Sequence, residues 1–273
     1  MHLKFWGVCA VMCLAAGSTS ALTSYGNVTP SLIFGSGNAN GGFTIDTQNN
    51  VEIGLRGKLR FNSLGDPENT FNGGVDSNIY TFKAGAAPGG YGFAFNSPTT
   101  PVWSFEWSIN TNADGLGSLN LDDLTYVLSL DGDPTNGISS ALEFDPINVT
   151  SADHTFGTNA TGNGGGTKGV RGTTQPAFDA YANLIAANNL AQQSWNYEFF
   201  NDPADFPGTA LEFFNPNAVG TYTISLAAFD GGNQVAKSEI QINVVPVPGA
   251  LPLLASMAVL GIGAARLRKR RNA

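Results

Sequence analysis

The sequence predicts a mainly β fold, a single antiparallel β-sandwich with one short inserted helix. Several segments alternate apolar and polar residues with period two, and Gly, Asn, Ser and Thr are abundant while Lys is scarce. Such alternation gives a strand one buried and one solvated face, and turn-forming residues between short strands are typical of antiparallel sheets. We therefore assign residues 22–245 of the 273-residue chain to one domain.

The clearest single strand covers residues 103–109, where Trp103, Phe105 and Trp107 fall on one face and Glu106 on the other. Residues 51–61 alternate in the same way, with apolar side chains on one face and mostly charged ones opposite. We expect the aromatic faces to lie in the core and the charged faces to be exposed to water.

A β-hairpin is predicted near the end of the domain. Two alternating runs, residues 221–229 and 235–244, flank the turn sequence Asp-Gly-Gly-Asn. Tyr222 enters the first run after Gly220-Thr221 and resembles the tyrosine corner of immunoglobulin-like sandwiches, in which the hydroxyl bonds to backbone just upstream. The fold class stays open between an immunoglobulin-like and a jelly-roll-like sandwich.

The inserted helix is predicted over residues 177–193, where Phe178, Tyr181, Leu184 and Ile185 have helical spacing. Before it, residues 150–176 include a run dense in glycine. Because a run this dense in glycine should hold no ordered element, we predict a flexible insertion loop there.

The N-terminus, residues 1–21, has the three parts of a secretory signal: one lysine, an apolar run from Phe5 to Ala16, and small residues ending at Ala21. We predict cleavage after Ala21. Since Cys9 and Cys13 are the only cysteines, the mature chain would contain no disulfide and no cysteine-based zinc site.

The C-terminus, residues 246–273, reads as a membrane segment followed by a basic tail. An apolar run, residues 250–265, predicts a transmembrane helix, and the cations after it predict a cytoplasmic end. This basic cluster consists of Arg266, Arg268, Lys269, Arg270 and Arg271.

A short proline motif precedes the helix, and it consists of Val245, Pro246, Val247, Pro248 and Gly249. The order of motif, helix and arginine cluster resembles the PEP-CTERM sorting tails, in particular the Val-Pro-Leu-Pro-Ala variant, from which it departs at two positions. The resemblance implies processing by an exosortase-type membrane enzyme, transient residence in the inner membrane, and display at the cell surface or release.

Charge excludes one class of partner. All 21 acidic residues but only seven of the 13 basic ones lie between residues 22 and 245, so this part carries a net charge of −14. Such a surface repels nucleic acid, and we expect no DNA or RNA partner.

Calcium is the one cofactor that the sequence suggests. Oxygen-bearing side chains alternate as in the first half of a calcium loop, and two further acids could replace the missing twelfth ligand. The predicted ligands are Asn110, Asn112, Asp114, Asp122 and Asp123. Residues 131–137 form a second acidic turn, although Asn, Asp and Gly also populate ordinary turns.

Catalytic candidates are few. His154 is the only histidine of the predicted mature chain, and its place beside the glycine-rich run suggests a surface loop. Glu106 and Glu198 each stand among aromatics, as glycosidase carboxylates can, but strand alternation would turn both away from those rings and outward. We therefore expect no enzyme and no catalytic residues.

The resemblance of the tail implies an exported, non-enzymatic protein with a structural or adhesive role in an exopolysaccharide or biofilm matrix, with extracellular polysaccharide as a partner. The alternative is a carbohydrate-binding or carbohydrate-degrading β-sandwich. An aromatic platform exposed on one sheet face would favour the alternative, and buried aromatics would count against it.

Overall fold

The computed structural model describes residues 23–31, 33, 41–62, 64–66, 68, 78–89, 98–138, 141–149, 152–201, 211 and 214–247. The predicted signal peptide with its cleavage site at Ala21 lies outside the described residues. So do Pro248 and Gly249, the predicted transmembrane helix and the basic cluster. Within the described part, no helix is long and apolar enough to cross a membrane.

The described part is mainly β, with two sheets and one α-helix, and is consistent with a β-sandwich. In chain order the strands are β1 (Ser24–Gly26), β2 (Phe43–Gln48), β3 (Val51–Leu59), β4 (Ile79–Lys83), β5 (Trp103–Asn110), β6 (Thr125–Asp131), β7 (Ala141–Phe144), β8 (Thr155–Gly157), β9 (Thr167–Lys168), β10 (Leu190–Trp195), β11 (Gly220–Asp230) and β12 (Asn233–Val245). The helix α1 spans Gln175–Ala187.

The first sheet has seven strands in the order β1-β2-β3-β5-β10-β8-β9, and all its pairs are antiparallel. The second has five strands in the order β4-β12-β11-β6-β7. Its edge strand β4 pairs with β12 in parallel, with Ile79 opposite Gln241 and Lys83 opposite Val245. The prediction of a purely antiparallel sandwich is therefore wrong at this edge.

The predicted hairpin is confirmed as β11 and β12. Gly231 and Gly232 form its two-residue turn with φ values of 53° and 88°, a region that residues with a Cβ rarely adopt. Tyr222 is buried, and its ring packs edge-on against Tyr197 and Phe214. Among the described residues its hydroxyl makes no hydrogen bond to upstream backbone, so the tyrosine-corner bond is not seen there.

The core lies between the two sheets. The inner faces of β3 and β5 contribute Ile53, Leu55, Trp103 and Trp107, and the second sheet contributes side chains such as Ile242, all within one cluster. At Gly57 the sheets approach so closely that a Cβ would lie 2.7 Å from Ile242 Cδ1. Burial of this aromatic-rich layer is the main source of stability in a body without disulfides.

The outer face of the first sheet differs from the expectation. It carries the predicted polar residues, but they are shielded from water: Glu52, Arg56, Lys58 and Glu106 are each at most 5% exposed. Part of the cover is an N-terminal strap, residues 28–31 and 33, which crosses this face and hydrogen-bonds to it. The alternation predicted the orientation of the side chains correctly and their exposure wrongly.

The helix ends earlier than predicted. α1 stops at Ala187, and residues 190–195 form β10 between β5 and β8. Asn188 is extended and its side chain donates to Leu184 O, which satisfies one carbonyl of the last turn. Helical spacing could not show that residues 190–193 pair with two distant strands.

The glycine-rich segment also contains ordered elements. β8 and β9 lie within residues 150–176, and β9 stands inside the glycine-dense run. The N–H of Gly169 donates to His154 O, and the N–H of Arg171 donates to Ala152 O. These bonds join the segment after β9 to the segment before β8. The prediction that this run holds no ordered element is wrong for Thr167 and Lys168.

Candidate functional site

The first residue of the predicted sorting motif, Val245, is also the last residue of the final strand of the sandwich, β12. Its carbonyl accepts a hydrogen bond from Ala84 N at 2.8 Å. Pro246, which has no N–H to continue a ladder, is exposed, and Val247 is 55% exposed. The chain thus leaves the folded body within the motif, at the first proline.

This arrangement has a chemical consequence. A peptide bond in a paired strand is protected from enzymes, whereas one in an exposed extended segment is accessible. Pro246 and Val247 form the first accessible positions after β12, and the strand before them is held on both sides, by β11 and β4.

The predicted calcium loop is built as a hydrogen-bonded asparagine cluster. Asn110 Oδ1 accepts from Asn112 N at 2.9 Å and from Asn189 Nδ2 at 2.7 Å. Asn112 Oδ1 accepts from Gly117 N at 2.8 Å and from Asn50 Nδ2 at 3.1 Å. The two amide oxygens proposed as ligands are therefore each engaged by two donors.

The three predicted acidic ligands do not all face that loop. Asp114 accepts from Leu116 N within the loop, at 2.8 Å. Asp122 and Asp123 lie in the 3-10 helix Leu121–Asp123, where Asp123 Oδ2 accepts from Asn120 N at 2.7 Å. In the described ranges there is no group of three or more His, Cys, Asp or Glu side chains placed to hold a metal ion. Calcium at this loop stays a prediction.

Glu106 is the centre of a buried ion cluster, contrary to its predicted exposure. Its carboxylate contacts both the Arg56 guanidinium and the Lys58 ammonium, and all three side chains are at most 3% exposed. Arg56 also lies over the Phe43 ring, 4.4 Å from its centroid. Burial lowers the pKa of Lys58, and the Glu106 charge opposes that effect.

Glu198 is also buried rather than outward. It lies in a 3-10 helix, Tyr197–Phe200, directly after β10, so strand alternation does not apply there. A carboxylate held in a salt cluster and another in a short helix do not form the open, water-accessible pair that glycoside hydrolysis uses.

His154, predicted on the surface, is fully buried. Its Nε2–H donates to Pro146 O at 2.5 Å, and its ring lies edge-on to Trp107 and Trp195 at 4.8 and 5.4 Å between centroids. Burial lowers its pKa from 6.5 to about 4. The pairing of β8 with β10 brings it into the core, a long-range contact that its local sequence does not reveal.

Comparisons with protein-family models, with curated proteins and with solved structures each return no match for this chain.

Proposed function

We propose that the chain is exported, loses its signal peptide after Ala21, and is sorted through its C-terminal tail to the cell surface or the extracellular matrix. There it acts as a non-enzymatic structural or adhesive protein in an exopolysaccharide or biofilm matrix. An exosortase-type membrane enzyme is its processing partner, and extracellular polysaccharide is its proposed environment.

The observation that carries the proposal is the junction at the end of β12. The last strand ends at Val245, the next two residues, Pro246 and Val247, are exposed, and the sequence continues with the rest of the motif, an apolar run and five cations. A tail that begins where the fold ends can be removed without disturbing the domain. The net charge of −14 over residues 22–245 suits a hydrated, soluble body outside the cell.

We also propose that the sandwich is of the immunoglobulin-like or jelly-roll-like kind. Two facing sheets with a shared aromatic core support either architecture.

Among the described residues, no aromatic platform favours the carbohydrate-binding or carbohydrate-degrading alternative. In the described part of the chain, Trp103, Trp107 and Trp195 are buried, and no aromatic side chain is among the exposed large hydrophobic residues.

The test compares three chains expressed in a bacterium that has a sorting enzyme of this type. The first is the full chain, the second ends at Val247, and the third has Gln at all five positions of the basic cluster. We expect only the full chain to be cleaved at the motif and displayed at the surface or released, because only it carries both the complete motif and the stop-transfer charge.

Thermal unfolding provides the control. Since Val245 ends the last strand, the chain ending at Val247 should unfold at the temperature of the processed protein. Recovery of the full chain intact in the inner membrane, still carrying residues 266–273, would contradict the proposal.

A further inference from the structure

At the end of β6 lies a carboxylate oxygen that is shielded from water and has no hydrogen-bond donor among the described residues. Asp131, the last residue of β6, is 0% exposed. Its Oδ1 accepts from Asp133 N at 3.1 Å, whereas its Oδ2 accepts no hydrogen bond from any residue that the structure describes. An ionised carboxylate oxygen out of contact with water is costly unless a donor or a cation faces it.

A second carboxylate stands beside it. Asp133 follows two residues later, and its Oδ1 accepts from Thr135 N at 2.7 Å. Burial and then the Asp133 charge raise the pKa of Asp131, and the backbone amides of Asp133 and Thr223 oppose this in part. Asp131 forms no ion pair with any described Lys or Arg.

The negative charges of Asp131 and Asp133 also affect two buried tyrosines nearby. Burial raises the pKa of Tyr222 to about 12, with the charges of Asp131 and Asp133 adding to the shift. Burial also raises the pKa of Tyr197, again with a contribution from Asp131. Tyr197 does not neutralise the carboxylate, because its hydroxyl donates to the backbone carbonyl of Asp131 at 3.0 Å.

The loop is held in place by close packing. Thr221 N donates to Pro134 O at 3.1 Å. At Gly220 a Cβ would lie 2.0 Å from the same oxygen, so no larger residue fits under the loop. The two carboxylates are therefore presented by a segment fixed against the start of β11.

We propose that Asp131 and Asp133 bind a calcium ion at this loop. The available ligands are all oxygens, which select a hard cation over zinc or copper. Two carboxylates from a tight loop suit calcium, whose coordination geometry is flexible, better than magnesium, which demands a near-ideal octahedron. The ion supplies the positive charge that Oδ2 of Asp131 does not receive from any described residue.

This site is distinct from the predicted loop at Asn110, whose amide oxygens already accept N–H donors. It also stands independently of the sorting proposal, since it rests on the geometry of β6 and β11 alone.

The test measures thermal unfolding of the full chain after removal of metal with EDTA. Calcium at about tenfold excess over a Kd near 1 mM, a value typical of extracellular modules, should raise Tm by about 3–6 °C. Asp131→Asn and Asp133→Asn should abolish this rise. The double variant Asp122→Asn, Asp123→Asn is the matched control and should keep it.

Two further measurements on Asp131→Asn separate loss of calcium binding from loss of folding. Without calcium, Asp131→Asn should unfold at or above the wild-type temperature, because the buried charge has been removed. Terbium should replace calcium and luminesce by energy transfer from Tyr197 and Tyr222, and this emission should vanish in Asp131→Asn.

Three results would overturn the assignment. One is no change of Tm with calcium, and another is a rise that persists in both Asp131→Asn and Asp133→Asn. The third is an equal rise with magnesium at the same concentration, which would exclude calcium as the specific ion. Loss of the rise in the control variant instead would place the ion at residues 110–123.

Discussion

Glu106 balances two buried cations on the outer face of the first sheet. Replacing it with Gln leaves Arg56 and Lys58 without their central carboxylate, and breaking a buried ion cluster in this way costs about 3–5 kcal/mol. We predict that Glu106→Gln lowers the free energy of unfolding by that amount, as measured with urea. The exposed Glu143 on β7 provides the control. Glu143→Gln should change the free energy of unfolding by less than about 0.5 kcal/mol. Equal effects of the two variants would contradict this role of Glu106.

His154 makes the stability depend on pH in a defined window. The unfolded chain binds a proton at this residue near pH 6.5, but the folded chain does so only near pH 4. Stability from this group is therefore fully present above pH 6.5 and is lost as the pH falls to about 4, by about 3 kcal/mol. We predict that His154→Phe flattens the difference in unfolding free energy between pH 7 and 4.

Carboxylates titrate in the same window, so the measurement compares the two proteins at each pH rather than either alone. A pH dependence identical in wild type and His154→Phe would show that His154 is accessible to protons in the folded state.

At the scale of single elements, the N-terminal strap covers polar residues that strand alternation had assigned to solvent. Gln192, fully buried on β10, accepts from Ile33 N at 2.7 Å and donates to Ser31 O at 2.9 Å. Thr29 donates twice to Glu52. The strap thus supplies hydrogen bonds that the outer face would otherwise make to water.

Gln192→Ala should therefore detach the strap. Removing the side chain leaves the buried Ile33 N–H without its acceptor, at a cost of about 1–3 kcal/mol, and the partly buried Ser31 O without its donor. We predict a loss of unfolding free energy of at least about 1–3 kcal/mol and faster hydrogen exchange at the Ile33 amide. Gln234→Ala, at an exposed position of β12, should change neither quantity. An unchanged exchange rate at Ile33 in Gln192→Ala would show that the strap does not depend on this residue.

The elements that could be predicted are those specified locally. β3, β5 and the β11–β12 hairpin follow from period-two alternation and a Gly-Gly turn. The burial of Glu106, Glu198 and His154 could not be predicted from the sequence, because it depends on residues that are distant in the chain. The same holds for β10, whose residues have helical composition but pair with β5 and β8.

At the scale of the whole molecule, the sandwich and its tail are joined with almost no linker. Four residues, 246–249, separate β12 from the predicted transmembrane helix. Fully extended they span at most about 13–14 Å. A precursor held by that helix would therefore carry its folded domain directly at the membrane surface, within reach of a membrane-embedded enzyme. The candidate sorting site stays a prediction, and it rests on the sequence alone because its motif, apolar run and charges are contiguous.

The intact mass of the protein recovered from cells and medium decides whether the tail is removed. We predict a species that begins at Leu22 and ends between Val245 and Gly249, with or without an added group. A recovered species that still carries Arg266 to Ala273 would contradict it, and would make the chain a membrane-tethered periplasmic domain.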